Sequence, residues 1–342
     1  MSYNPYLRRR AFANPTLSPD PSTYAGEAAD FYVAPAIHGA DTVANGWVTQ
    51  LDGIQNKAVI SGAFVESDII QSAACDWTDG NSVTVDERVL TLTDLMVNEA
   101  LCRGSILPTW QGMTGARDSM PWSNESFKNF VIATVAAKTA ESVENNIWVG
   151  GKIKGLLSND GTFDSAGWAA SQLQGCTEQV IVAITNVNAI DQFNLVYTKM
   201  VETTSAVISK ADVAFYCSPK TYALYCQQLA GLGAGTASST SALNRAGQGI
   251  NNQATAQGFV GMGFMGVPIH VSGGIPNDCI VMAQESNLYV GSNLRTDYTQ
   301  ARYIDAWQFD GSDNVKVAMR FGLGVQCGRK TEIVVGALTS IL

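Results

Sequence analysis

Apolar positions recur at helical spacing over 123–147. Phe127, Val131 and Val135 continue into Ala136, Ala140, Val143 and Ile147, which share one face of a 3.6-residue helix. Ser123 is placed to cap the start, Glu125 sits in the positive first turn, and Gly150-Gly151 ends the pattern. About 24 residues at ~1.5 Å rise make a rod of roughly 36 Å. A second helix is expected over 188–209, with Asn188 as cap and Ile190, Phe193, Tyr197, Met200, Val201 and Val207 on its apolar side. The short strand VAFYC then runs into Ser218-Pro219, a cap followed by a first-turn proline. The helix it starts carries Tyr222, Tyr225, Cys226 and Leu229 on one face and stops at Gly231.

Other stretches follow the two-residue period of strands. Residues 57–93 predict a long hairpin: KAVISGAF and SDIIQ on one side, SVTVDERVLTL on the other, with a turn signal at Asp79-Gly80 in CDWTDGN. Two strands alone are marginal in water, so this hairpin must lie on another part of the chain or on another subunit. Near the end, Tyr303, Trp307 and Phe309 share a face before the turn DGSDN. Val315, Val317, Met319 and Phe321 then alternate with Lys316, Ala318 and Arg320, and EIVVG predicts a final strand. The pattern is α+β, without regular βαβ repetition.

Two regions predict neither element. The first 45 or so residues scatter Pro5, Pro15, Pro19, Pro21 and Pro35 through polar sequence, the mark of an extended arm or a disordered leader. Tyr3, Tyr6, Phe12, Tyr24, Phe31 and Tyr32 favour an arm that buries aromatics on something else. Residues 231–257 are small and polar, with Arg245 as the only charge, a length that marks a functional or mobile loop.

Composition narrows the function. The chain has 342 residues, 46% apolar and 15% charged, enough for a sizeable core. A net charge of −9 argues against general attraction to nucleic acid or anionic lipid. Arg8-Arg9-Arg10 is a local exception, too short for a nucleic-acid tract. The N-terminus lacks the apolar core of a signal peptide, and no run approaches the length of a membrane span. Seven cysteines without C-x-x-C spacing, and no export signal, predict reduced thiols rather than zinc or disulfides.

Chemistry finds little support. GFVGMGFMGVPIHV contains G-x-G-x-x-G at 261–266, but a dinucleotide site needs a strand before it and a helix opening at the third glycine. Here a polar loop precedes it, Pro268 and a strand-like IHV follow, and Gly273-Gly274 end the run. The segment is read as a flexible entry into a strand. His270 and Ser272 could pair as base and nucleophile only against the rest of the pattern, since no G-x-S-x-G elbow is present. NDGTFD at 159–164 lacks the ligand order of a calcium loop. No catalytic, cofactor or metal residue is assigned.

The arm, the unsupported hairpin and the small-residue loop are parts with which a subunit reaches neighbours. In this order the chain resembles the Hong Kong 97-like major capsid proteins of tailed double-stranded DNA phages. The resemblance is carried by VAFYCSPKTYALY, GVPIHVSGGIPNDCIVMAQESNLYVG and RYIDAWQFDGSDNVKVAMRFGLGVQ. It implies an N-arm at 1–45, an extended E-loop at 46–95 and a peripheral domain at 96–185 with its spine helix at 123–147. A mainly axial domain at 186–300 and closing peripheral strands at 301–342 complete it. The implied function is a structural, non-enzymatic subunit of hexamers and pentamers in an icosahedral head enclosing DNA, assembled in the bacterial cytoplasm. Scaffolding, portal and decoration proteins are the implied partners. Because the chain starts almost at once with the arm, the scaffold is expected to be a separate protein. Arg8, Arg9, Arg10, Lys57, Asp76, Trp77, Asp79 and Arg245 are the expected inter-subunit contacts. Lys57 is the only lysine of the hairpin, but nothing supplies a partner for a crosslink. A same-fold encapsulin shell enclosing protein cargo is the first alternative, followed by another oligomeric virion component and by an enzyme using the 261–266 loop.

Overall fold

The computed structural model describes residues 40–65, 75, 83–102, 104–105, 108, 111, 125–229, 263–293, 301–305, 311 and 314–342. The chain divides into two compact units: 1–37, 99–134 and 303–317 in one, and 38–98, 135–302 and 318–342 in the other. In the first, the described parts include the end of β4 (Thr93–Cys102), the start of α2 (Glu125–Trp148), and parts of β11 (Ala301–Asp305) and β12 (Asn314–Cys327).

The second, larger unit is organised by a six-stranded mixed sheet. In spatial order it runs β5 (Thr177–Ile181), β13 (Val334–Leu338), β9 (Ile280–Gln284), β6 (Val213–Cys217), β8 (Val267–Val271), β7 (Gly263–Phe264). β5 is parallel to β13 and β6 to β8, while β9 is antiparallel to both β13 and β6. VAFYC and IVMAQ are buried at every position, as strands covered on both faces must be. On one face Val213, Phe215 and Cys217 meet α4 (Ala189–Ile208) and α5 (Pro219–Leu229) through Phe193, Val196, Met200 and Tyr225. On the other, Ala214 and Tyr216 join a cluster with Ile147, Trp148, Leu156, Leu157 and Trp168, the last from α3 (Ser165–Ala169).

The long helix forms over 125–148, with Val131, Val135, Val143 and Ile147 buried on the expected face and positive φ at Gly150 and Gly151 beyond its end. Ser123 lies outside the described residues. Ser218 caps α5 as expected, its Oγ accepting from Thr221 N at 3.2 Å. Asn188 does not cap α4. Its Oδ1 accepts from Thr185 N at 2.7 Å, and the Ile190 N–H at the helix start donates instead to Gln228 Oε1 of α5, also at 2.7 Å. A neighbouring helix thus satisfies a donor that local sequence assigned to a local cap. The backbone also leaves helical geometry at Thr204, and Val201, placed on the apolar side by periodicity, is exposed.

Two further departures concern 258–271 and 40–45. The run at 261–266 opens no helix: β7 and β8 pair as a hairpin, Phe264 opposite Val267, through Met265 and Gly266 at φ 51° and 82°. Two consecutive positive φ values are those of a type I′ turn, so the glycine serves a tight strand reversal rather than a flexible lead. Residues 40–45, the last of the stretch read as an arm, contain a helical turn, α1 (Asp41–Ala44), with Thr42 fully buried.

Thr42 belongs to a polar knot in the core. Glu144 Oε1 accepts from the hydroxyls of Thr42 and Ser272, the latter at 2.5 Å, and its Oε2 accepts from Thr42 N at 3.2 Å. Each hydroxyl is in turn an acceptor, Thr42 Oγ1 from Trp148 Nε1 at 2.9 Å and Ser272 Oγ from Gly274 N at 3.2 Å. Both hydroxyl protons are therefore directed at the carboxylate. A Cβ on Gly274 would collide with the Glu144 carbonyl oxygen and stand 2.9 Å from Trp148 Cδ1. Gly274→Ala is accordingly expected to lower stability by about 2 kcal/mol, read as a shifted urea midpoint at unchanged slope.

A second sheet runs β1 (Thr49–Leu51), β10 (Leu288–Ser292), β12, β11, with β4 also on β12. Among the described residues, the hairpin strands β2 (Lys57–Val65) and β3 (Val83–Thr91) pair only with each other.

Candidate functional site

The hairpin is the feature that the core does not explain. Its register pairs Lys57 with Thr91 through to Val65 with Val83. Successive residues face opposite sides, and the two sides differ. Inward lie Ala58 opposite Leu90, Ile60 opposite Arg88, and Gly62 opposite Asp86. Leu90 is fully buried against Ile54 and the backbone of Gly291, a position where any Cβ would strike it. Gln326 Nε2 donates to Val89 O at 3.0 Å, and Leu92 N to Asn56 O at 2.9 Å. These contacts lock the root.

Outward lie Lys57, Val59, Ser61, Glu87, Val89 and Thr91, all exposed. Val59 and Val89 stand directly opposite one another at 60% and 47% exposure. A cross-strand aliphatic pair ordinarily earns its place by packing, and here it is left open in the single chain. Met96 of β4 is also exposed.

Two clefts flank the root. One, of about 220 Å³, is lined by Ile60, Gly62, Asp86, Ser286, Arg329 and Glu332 among others. It is polar and internally satisfied: Arg329 Nη1 donates to Glu332 Oε1 at 2.9 Å, and Lys210 Nζ lies 3.6 Å from Glu332 Oε2. Lys210 also donates to Gln284 Oε1 at 3.2 Å. Hydrogen bonds from Ser286 and Gln284 hold the Asp212 carboxyl below the usual range, Ser286 contributing most. The other cleft, of about 370 Å³, is lined by Val89, Thr91, Thr93, Ile153, Lys154, Gln172, Gly324, Val325 and Gln326.

The residues singled out for chemistry are accounted for without it. His270 Nε2 is 2.8 Å from Glu285 Oε1 and its ring stacks on Trp47 at 4.6 Å, while Ser272 is committed to Glu144. The histidine and serine therefore do not meet. Asp160 of NDGTFD accepts from Thr162 N at 3.0 Å and from Ser158 Oγ at 3.0 Å, which draws its carboxyl below the usual range, and Asp164 caps α3. These are turn and cap roles. All seven cysteines are free thiols. Burial pushes the Cys176 thiol up to about 12 and those of Cys217 and Cys279 higher still, the reverse of a reactive thiolate. Among the described residues there is no group of three or more His, Cys, Asp or Glu side chains placed to hold a metal, and no helix long and apolar enough to cross a membrane.

Of the expected contact residues, Lys57 sits on the outward face at the hairpin root. Arg8, Arg9, Arg10, Asp76, Trp77, Asp79 and Arg245 lie outside the described residues, as does the loop 231–257. The sequence reading missed Leu90 as the root's anchor and Arg88 beneath the stem. SVTVDERVLTL puts apolar or β-branched residues on both faces, Val85 and Val89 on one and Thr84 and Leu90 on the other, which hid the face that met the body.

No protein-family model matches the chain, and no curated protein matches it. Solved structures do. The capsid of a native GTA particle is 12% identical with TM-score 0.56, over 87% of this chain and 90% of that one. A chain from Mycobacterium phage Cain is 13% identical with TM-score 0.53, over 91% and 93%. The capsid of Myoviridae phage XM1 is 12% identical with TM-score 0.50, over 87% and 91%. At such identity the likeness is one of fold: this chain has the fold of phage capsid chains along most of its length.

Proposed function

We propose that the chain is a structural subunit of a Hong Kong 97-like icosahedral phage head, assembling as hexamers and pentamers around double-stranded DNA. The observation that carries this reading is the hairpin: its root is locked into the core while an aliphatic pair on its outward face stands exposed. On a fold shared with capsid chains, such a strand pair supplies contact area to a neighbour without enlarging the subunit's own core. In this reading 46–95 is the E-loop, 1–45 the arm, 96–185 with the α2 spine and 301–342 the peripheral domain, and 186–300 mainly the axial domain. Arg8, Arg9, Arg10, Lys57, Asp76, Trp77, Asp79 and Arg245 are its proposed inter-subunit contacts. Scaffolding, portal and decoration proteins are the proposed partners, and the virion the proposed location. A net charge of −9 suits a shell past which DNA is pumped without adhering.

Purified chain, alone and with a candidate scaffold, is expected to give closed icosahedral shells, sheets or tubes by size-exclusion chromatography and electron microscopy. A stable monomer under all conditions would overturn the reading. Shells that package protein and exclude DNA would replace it with the nanocompartment alternative.

A further inference from the structure

Residues 40–48 form a strap that side chains fasten to the larger unit. Its own backbone bonds close within the segment: Val43 N and Ala44 N donate to Ala40 O, Asn45 N to Asp41 O, and Trp47 N to Thr42 O. Two anchors hold it down. At one, Thr42 supplies two of the three hydrogen bonds made to the Glu144 carboxylate, through its N–H and its hydroxyl, and accepts the Trp148 Nε1 bond. At the other, the Trp47 ring stacks on His270, and the Trp47 carbonyl accepts from the Tyr216 hydroxyl at 2.8 Å. Ala40, Val43 and Trp47 are only partly buried against the core. The strap leads into β1, three residues at the edge of the second sheet. Few contacts outside the segment secure it, which is the character of an element that opens locally.

We propose that this strap opens as a unit while the sheet beneath stays folded, and that it opens more readily as pH rises because it covers Glu144. The strap does not depend on the shell reading. The carboxylate is 1% exposed, and among the described residues no ion pair reaches it. Lifting Thr42 removes two of its three hydrogen bonds and admits water. Under the strap, burial raises the carboxyl above its ordinary value against the bonds from Ser272 and Thr42, and Asp41 of the strap raises it further. Lifting the strap takes away both the burial and Asp41, so the closed form binds the proton more tightly than the open one. Closing is therefore favoured most below the ordinary carboxylate value, and that advantage is lost as pH rises through the raised value. The other charged groups nearby have partners of their own. Glu141, one turn earlier on α2, pairs with Lys138, and His270 faces Trp47 and Glu285. Burial keeps the Tyr216 hydroxyl protonated well past its ordinary range.

The test is amide hydrogen exchange by mass spectrometry on the full chain, from about pH 5 to about pH 8. Peptides covering 40–48 and the buried strand 213–217 are followed, with rates divided by those of the same peptides unfolded. Relative to Glu144→Gln, the wild-type opening constant of 40–48 is expected to rise at least about threefold across the range, while 213–217 stays protected in both. Ser272→Ala removes one bond from the carboxylate, and Ser272 makes no hydrogen bond to the strap. That variant is expected to move the rise to higher pH, and it carries the test alone if Glu144→Gln does not fold. A wild-type opening that stays flat with pH, or a rise that Ser272→Ala leaves in place, overturns the proposal. Exchange at 213–217 that climbs in step with 40–48 overturns it in favour of whole-chain unfolding. A rise kept by Glu144→Gln and lost in His270→Gln overturns it in favour of the other anchor.

Discussion

Excising residues 63–85 and joining Gly62 to Asp86 through an Asn-Gly turn is expected to leave a folded subunit that forms no closed particles. Gly62 and Asp86 are directly opposite in the hairpin register, so a two-residue turn can link them without disturbing the pairs below. What remains includes Leu90 against Ile54 and Gly291, and the Gln326 bond to Val89 O. Stability should change by no more than about 1 kcal/mol, because a stem beyond its packed root adds little to a core. Cutting more widely, from 60 to 90, would remove fully buried Leu90 and cost about 2–5 kcal/mol for that side chain alone. Particle yield and melting temperature together separate the outcomes. Normal shells from the short-hairpin variant would sink the assembly role, and outright unfolding would place the stem in the core.

The second large effect is expected at Glu144. Glu144→Ala strands three donors that now converge on one buried carboxylate, and should cost roughly 3 kcal/mol. Glu144→Gln should cost less. Its carbonyl can keep both hydroxyl bonds now made at Oε1, while its amide faces the Thr42 N–H that Oε2 accepts. The two variants also report on charge. Burial raises the Glu144 carboxyl above its ordinary value, against the opposing hydrogen bonds from Ser272 and Thr42. The folded chain then holds the proton more tightly than the unfolded chain. Wild type should therefore gain stability relative to Glu144→Gln as pH falls through the raised value, with the gain complete below the ordinary carboxylate value and lost as pH rises again. Urea midpoints of both proteins from about pH 4 to about pH 7.5 measure the difference. A difference that shrinks towards acid would mean that the three hydrogen bonds outweigh burial.

What the sequence made legible was local. Period located α2, α4 and VAFYC, and a cap the Ser218-Pro219 start, because a helix face or a strand face is written in consecutive residues. The hairpin was legible for the same reason, and its need for outside support followed from its being only two strands. The polar knot was not: Thr42 lies 102 residues from Glu144, and Ser272 lies 128 from it. Nothing near Thr42 distinguishes it from a solvent-facing threonine. Arg88 likewise carries no motif, since its partners Gln326 and Cys327 lie 238 and 239 residues away. Asn188 shows the converse. The donor that local sequence gave to Asn188 is held instead by Gln228 of another helix.

The place of β13 in its sheet has a consequence for timing. Val334–Leu338 inserts between β5 and β9, strands made some 150 and 50 residues earlier. The sheet therefore cannot close until residue 338 has cleared the ribosome, and Val89 gains its Gln326 bond almost as late. The hairpin root is thus among the last parts of the unit to be completed during synthesis.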